Sequence, residues 1–297
     1  MQLLTDFLNY LAIEKNYSPE TVRTYKTNVT LIANFINEKY GINSIHSINE
    51  LKALTHSMLR SYLVAQSLQK STIQTRIYSL RSFLKYHLKK GNLDTNPASR
   101  LQIPKKQKRL PVFIRQEDIS ILLDKTTWEP DFEGVRDKAI IELLYSAGLR
   151  RAEIGGLKYT DINWNNRTVK ILGKGNKERI VPFGIPAYKA MQTYITHCEA
   201  NTISFQPIFF SDKKGTPLTL NKIYLIVKQR LGSIPSLTKR SPHILRHTFA
   251  THLVDSGADL NAVKELLGHK SLASTQVYVH NTISKLKNIH NQAHPRS

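Results

Sequence analysis

Residues 96–111 divide this chain. The stretch Asn96-Pro97-Ala98-Ser99-Arg100-Leu101-Gln102-Ile103-Pro104-Lys105-Lys106-Gln107-Lys108-Arg109-Leu110-Pro111 carries three prolines and five Lys or Arg residues. Proline fixes φ and has no N–H to give a helix or a sheet, and clustered like charges repel and extend a chain. Such a stretch predicts a basic linker between two folding units, residues 1–95 and residues 112–297. A length of 297 residues suits two domains.

The first unit reads as helices. Ser18-Pro19-Glu20 has a capping residue followed by proline at the first helical position. From there Val22, Tyr25, Val29, Ile32, Ala33 and Ile36 recur at helical spacing as far as Gly41. Phe7, Leu8, Leu11 and Ala12 precede this run, and Thr55–Leu68 and Ser71–Leu88 follow it, so four or five short helices form a small bundle. Arg23, Lys26, Lys70, Arg76, Arg81 and Lys85 are its candidate polyanion contacts; a merely solvated basic face is the alternative.

The second unit is mixed. Helical spacing covers Gln116–Lys125 and Val135–Ala147, with Gly148 as the stop and Arg150 opening a short new segment. Thr168–Leu172 and Arg179–Phe183 read as two strands, joined by the turn Gly173-Lys174-Gly175-Asn176-Lys177-Glu178. Ser241-Pro242 opens a helix that Gly257 closes, Asn261–Leu267 makes another that Gly268 closes, and Thr275–Tyr278 begins a further one. The expected fold class is mainly α with a small antiparallel β-sheet (α+β), a helical N-terminal domain plus a mixed C-terminal domain.

Charge names the partner class. Lys and Arg number 43 against 22 Asp and Glu, a net charge of +21. Residues 1–110 hold 17 basic and 6 acidic side chains and residues 111–297 hold 26 and 16, so the surplus spans both units. That distribution fits a nucleic acid held on two sides better than a membrane surface, for which a concentrated amphipathic basic helix would be expected. The single cysteine, Cys198, excludes an internal disulfide and a multi-cysteine zinc site, and reads as a structural thiol. No apolar run is long enough to span a bilayer, and the segment from Met1 to Asp6 lacks the features of a secretory signal, so a cytoplasmic location is expected.

Candidate chemistry lies at Arg150, Lys174, His243, Arg246, His269 and Tyr278. Taken singly, each has an ordinary explanation: a turn lysine, a helix-end histidine, a core tyrosine. His243 and His247 have a zinc-like spacing, but Ile244 stands where a metalloprotease has glutamate, and no carboxylate pair makes a magnesium site. Gly173-Lys174-Gly175 lacks the second glycine and the Lys-Ser/Thr ending of a nucleotide loop. Neither a metal nor a cofactor is expected.

Taken in order, Gly148-Leu149-Arg150-x-x-Glu153, Gly173-Lys174-Gly175-Asn176-Lys177-Glu178-Arg179, His243-x-x-Arg246-His247, Leu267-Gly268-His269 and Tyr278 resemble the tyrosine recombinases of the phage integrase family, and most of all the Xer-type branch. Tyr17-Ser18-Pro19-x-Thr21 and Tyr25 resemble the start of that family's core-binding domain, so the resemblance covers nearly the whole chain. Ala152 and Ile154 depart from the Ser and Leu usual in the first box. The resemblance implies a core-binding DNA clamp at 1–95 and a catalytic domain at 112–297. It implies site-specific strand exchange on double-stranded DNA at paired recombination sites, through a 3′-phosphotyrosine on Tyr278 and without metal or ATP. Arg150 and Arg246 would hold the phosphate, Lys174 would protonate the leaving oxygen, and His243 and His269 would assist. Glu153 would be structural, orienting an arginine, and His247 would pack. It further implies a homo- or hetero-tetramer on DNA, joined through the C-terminal segment from Asn281 to Ala293, whose Ile283, Leu286 and Ile289 form an apolar stripe. Packing of that stripe on its own domain is the alternative. Chromosome dimer resolution and movement of a mobile element both fit, with or without an accessory activator. A type IB topoisomerase and a non-catalytic DNA-binding protein of the same fold are the competing functions.

Overall fold

The computed structural model describes residues 2–65, 67–104, 112–125, 128–173, 178–268 and 287–297, and the chain forms two compact units, Met1–Arg109 and Leu110–Ser297. The first unit is helical: α1 (Gln2–Asn9) runs into a π turn at Tyr10–Glu14, followed by α2 (Pro19–Tyr40), α3 (Ile48–Lys52), α4 (His56–Ala65) and α5 (Lys70–Lys89). The long α2 begins where the sequence says it should. The Ser18 hydroxyl accepts the Thr21 N–H, Pro19 opens the first turn, and Gly41 closes the helix at φ 69°. Gly41 takes that left-handed conformation without a Cβ penalty. Short α3 has only a local signal, Ser47 accepting the Glu50 N–H as its cap.

The face of α2 carrying Val29, Ile32, Ala33 and Ile36 packs on α5 through Ile77, Leu80, Phe83 and Leu84, with Phe7 between them. Each of these side chains except Ala33 contributes about 1.5–3 kcal/mol of burial. The packing continues past Asn96, where proline and charge predict the linker to begin. Ala98 and Leu101 are buried in this core, and Arg81 ties them down by donating to the carbonyls of Ala98 (3.0 Å), Ser99 (2.9 Å) and Leu101 (2.6 Å). Arg81 is thus spent inside its own unit, as is Arg76, which donates to the Tyr62 hydroxyl. Arg23, Lys26, Lys70 and Lys85 are exposed.

The second unit holds α6 (Gln116–Ser120) with a π turn at Ile121–Lys125, then α7 (Phe132–Ser146), α8 (Arg151–Gly155), β1 (Ile162–Asn163), β2 (Thr168–Leu172), β3 (Glu178–Pro182), α9 (Ile185–Ala200), α10 (Leu220–Arg230), α11 (Pro242–Asp255), α12 (Leu260–Leu266) and a final helix at 287–293. Periodicity gives α7 one apolar face; the structure buries it nearly all round, between α9 and α11. Its charges are buried too, and buried charges need partners. Asp137 takes Arg136 at 2.7 Å and Arg230 at 3.1 Å, and Glu142 takes Arg296 at 2.6 Å. Both distant arginines lie far along the chain, so neither pairing is written locally.

The sheet is antiparallel, in the order β1-β2-β3, with Val169 opposite Val181 and Ile171 opposite Arg179. β2 and β3 correspond to the two expected strands; β1 is an addition of two residues. Helices α9 and α10 were not expected; Pro186 in the first turn of α9 and the Thr219 hydroxyl capping the Lys222 N–H are their local start signals. Cys198 is buried on α9, where burial pushes its thiol pKa up, consistent with a structural thiol. Among the described residues no helix is long and apolar enough to cross a membrane.

Candidate active site

The site is organised by the turn between α7 and α8. Gly148 lies at φ 58°, and a Cβ there would stand 2.4 Å from Cδ1 of Phe249. The missing Cβ lets α11 press its Phe249 ring against the turn, and α11 is the helix that carries Arg246. The Arg246 guanidinium then donates to the Gly148 carbonyl at 2.6 Å and to the Leu267 carbonyl beyond α12. Arg150, two residues past Gly148, is the N-cap of α8. Arg150 and Arg246 are therefore fixed to the same turn.

Between them sits Glu153, with a side chain only 6% exposed. It accepts the Arg150 N–H at 2.7 Å, as the carboxylate arm of a capping box, and Arg150 Nη1 at 2.9 Å. Arg179, on β3, places a fork on the same carboxylate, Nη1 to Oε1 at 2.9 Å and Nη2 to Oε2 at 2.8 Å. Arg246 Nη1 stands 3.9 Å from Oε2. Burial alone would raise the Glu153 pKa; the Arg179 fork, the Arg150 backbone N–H and the charge of Arg179 outweigh it and hold it at about 2. The Arg246 pKa is pushed down to about 10 by burial and then by Arg150, with Glu153 opposing, so it stays a cation at neutral pH. Three guanidinium groups around one carboxylate leave a net of two positive charges in a partly dry pocket, with Arg150 the most exposed. Such a charge is suited chemically to a phosphodiester, whose five-coordinate form carries added negative charge.

His243 lies in the first turn of α11, one turn before Arg246 and so on the same side of the helix, and it is exposed. Ser241 and Pro242 open this helix as expected, although the Ser241 side chain makes no capping bond. His247 is half-buried next to Arg246. Lys174, His269 and Tyr278 lie outside the described residues, as does the helix expected to begin at Thr275. The described ends of the flanking segments, Leu172–Gly173, Glu178 and Gly268, border this cluster through Arg179 and Leu267. Among the described residues no group of three or more His, Cys, Asp or Glu side chains is gathered where it could hold a metal ion. Sequence assigns Glu153 to orienting one arginine; the structure has it binding two and lying beside a third. It also draws in Arg179, to which the sequence attaches no role.

The phage integrase family matches residues 113–285, and the N-terminal SAM-like domain of phage integrases matches residues 4–91. A tyrosine recombinase XerC of Pelobacter propionicus is 35% identical over 299 residues, spanning 100% of this chain and 96% of that protein. A tyrosine recombinase XerC of Halalkalibacterium halodurans is 35% identical over 305 residues, spanning 100% of this chain and 98% of its own length. Among solved structures, XerH site-specific recombinase bound to difH substrate in a pre-cleavage complex aligns with a TM-score of 0.68 at 21% identity, over 97% of this chain and 82% of that one. A lambda integrase dimer bound to a COC′ core site aligns at 0.67 and 15% identity, over 100% and 96%. These two show the shared fold, and the XerC relatives the kinship. The chain belongs to the phage integrase family and is a site-specific tyrosine recombinase, an enzyme that cuts and rejoins DNA strands.

Proposed function

We propose that Tyr278 is the nucleophile of this recombinase and that Arg150 and Arg246 hold the scissile phosphate for its attack. The observation that carries this reading is the surplus of two positive charges around Glu153, with Arg150 and Arg246 on one turn. Guanidinium keeps its charge and offers a planar fork to two phosphate oxygens. In the reaction, the Tyr278 oxygen attacks phosphorus, a 3′-phosphotyrosine bond forms, and the bond to the 5′-oxygen breaks. Lys174 delivers the proton that the leaving 5′-oxygen takes. An aryloxide, with a phenol pKa of about 10, leaves more readily than an alkoxide. The 5′-hydroxyl of another strand therefore reverses the step and rejoins the DNA. His243 assists proton movement, and His269 donates a hydrogen bond to a nonbridging oxygen, roles suited to imidazole near neutral pH. The scheme uses no metal and no nucleotide.

The substrate in this reading is double-stranded DNA at paired recombination sites, with the first unit, which includes Ala98 and Leu101, as the clamp and the basic residues that follow, through Pro111, as the strap between the domains. Exposed Arg23, Lys26, Lys70 and Lys85 supply phosphate contacts on the clamp. A recombinase acts where the DNA is, and we assign it to the cytoplasm. It works as four protomers, with the C-terminal segment passed between neighbours. The described end of that segment, residues 287–297, lies on its own chain, with His290 Nε2 donating to the Ser146 carbonyl at 2.8 Å, Ile289 against the core, His294 buried and Arg296 on Glu142, which is the own-domain packing that the sequence left as the alternative. Exchange in this reading requires the segment to leave that seat and a neighbour's to take it.

The test uses the target site mapped with the purified protein. Tyr278→Phe binds the mapped duplex with unchanged affinity and yields no covalent protein–DNA adduct on a denaturing gel. Arg150→Ala and Arg246→Ala slow cleavage far more than they weaken binding. An adduct in Tyr278→Phe, or full cleavage in either arginine variant, refutes the assignment.

A further inference from the structure

We infer that Arg179 is a positioning residue for strand cleavage: it locks β3, the Arg150–Arg246 clamp and the end of α12 to a single carboxylate. The inference rests on the clamp reading above. Each of the three guanidinium nitrogens of Arg179 is engaged. Its two Nη atoms fork onto Glu153, the carboxylate that also fixes Arg150, and its Nε donates to the Leu266 carbonyl at 3.0 Å. Its side chain is 12% exposed and lies along Gly268, where a Cβ would meet Arg179 Cδ at 3.2 Å. One guanidinium therefore joins three separate parts of the sequence.

Each part leads directly to a proposed catalytic group. Arg179 is five residues after Lys174; Leu266 is three before His269; Glu153 is three after Arg150. The Leu267 carbonyl, next to the one Arg179 uses, receives Arg246. Arg179 is also only 12% exposed, with one N–H of each Nη directed to Glu153, which leaves little open surface for a phosphate. Lysine could not replace it: an ammonium offers a point charge where this site needs a fork. A displacement of about 1 Å in a reacting group costs roughly 100-fold in rate.

The experiment compares Arg179→Gln, Arg179→Lys and Arg246→Ala on a nicked duplex of the mapped site. It measures DNA affinity by gel shift, and cleavage as a single-turnover rate separated from its amplitude. Amplitude counts folded active molecules, while the rate reports the chemistry. Arg179→Gln is expected to keep affinity within about threefold and to lose roughly 100-fold in rate, with Arg179→Lys in between. The acid limb of the pH–rate profile also moves to higher pH in Arg179→Gln, because Glu153 loses the guanidinium that holds its carboxyl low. A normal rate with reduced amplitude would make Arg179 purely structural and overturn the inference. Loss of affinity matching the loss of rate would make it a DNA contact, and overturn it too. If Arg246→Ala cleaves normally, it is the clamp reading that fails.

Discussion

Gly148→Ala is the most demanding test of how the site is assembled. Two independent costs meet at this residue. The backbone stands at φ 58°, a conformation that costs an L-residue about 1–2 kcal/mol. The new methyl would lie 2.4 Å from Phe249 Cδ1 and 2.7 Å from Cε1, well inside van der Waals contact. Phe249 is fully buried and cannot swing into solvent, so relief requires α11 to shift, an overpacking cost of about 1–3 kcal/mol. The sum is about 2–5 kcal/mol.

Urea unfolding followed by circular dichroism measures that loss. The second unit spans Leu110–Ser297, a size at which each kcal/mol lowers Tm by about 2–4 °C. Phe249→Leu separates the two costs, because it removes the ring that the methyl strikes while leaving φ untouched. In the double variant, the penalty of Gly148→Ala should shrink to the backbone part, a coupling of about 1–3 kcal/mol. Cleavage in Gly148→Ala should fall by more than its folded fraction explains, since Arg246 donates to the Gly148 carbonyl and moves with the turn. A destabilisation below about 1 kcal/mol, or strict additivity with Phe249→Leu, would refute the close-approach argument.

Arg296→Gln removes the cation facing buried Glu142, and breaking such a pair costs about 3–5 kcal/mol near neutral pH. The Glu142 pKa is already raised by burial, with Arg296 opposing, and it rises further in the variant. A raised carboxyl pKa means that the folded state holds the proton longer, so stability falls as pH rises and the deficit narrows on acidification towards pH 5. Thermal melts of both proteins across that range check this, and a pH-independent deficit counts against it. Deleting residues 287–297 also removes Arg296 and so destabilises the second unit; at a temperature where circular dichroism shows the truncated protein folded, it should keep binding of one protomer and lose cooperative assembly on paired sites. Normal cooperativity in the truncated protein, read by native gel, would end the exchange proposal.

What was legible in the sequence is what local backbone chemistry dictates. Ser18-Pro19, Ser241-Pro242, Gly41 and Gly148 mark helix ends because capping and left-handed φ depend on neighbours within four residues. Strands β2 and β3 were readable for a similar reason, their β-branched runs flanking a glycine turn. Helices α9 and α10 were not recognised, although Ala187, Ala190, Met191, Tyr194, Ile195 and Cys198 on α9 and Ile223, Ile226 and Val227 on α10 recur at helical spacing. The small and polar members of the α9 stripe, Ala187, Ala190, Tyr194 and Cys198, make its apolar signal weak. The burial of α7 was equally hidden, because Asp137 and Glu142 become tolerable inside the core only when Arg230 and Arg296 arrive from elsewhere in the chain.

The site divides along the same line. Residue types and their order carry the resemblance to the family, from which the proposed phosphodiester chemistry follows without a single contact. The charge available for that chemistry is another matter. Arg150, Arg179 and Arg246 are three cations in sequence, but Glu153 neutralises one of them, and it does so by bonding Arg150 and Arg179 while only approaching Arg246. Arg179 is therefore balanced internally, Arg150 keeps an exposed edge, and Arg246 uses two of its five N–H groups on carbonyls that define its position, leaving others for a phosphate. Attraction for the phosphate thus depends on how one carboxylate is shared, which is decided only when β3, α8, α11 and α12 have packed together. Catalytic competence is a property of the folded second unit, and its loss should track the Glu153 network more closely than the loss of any one positive charge.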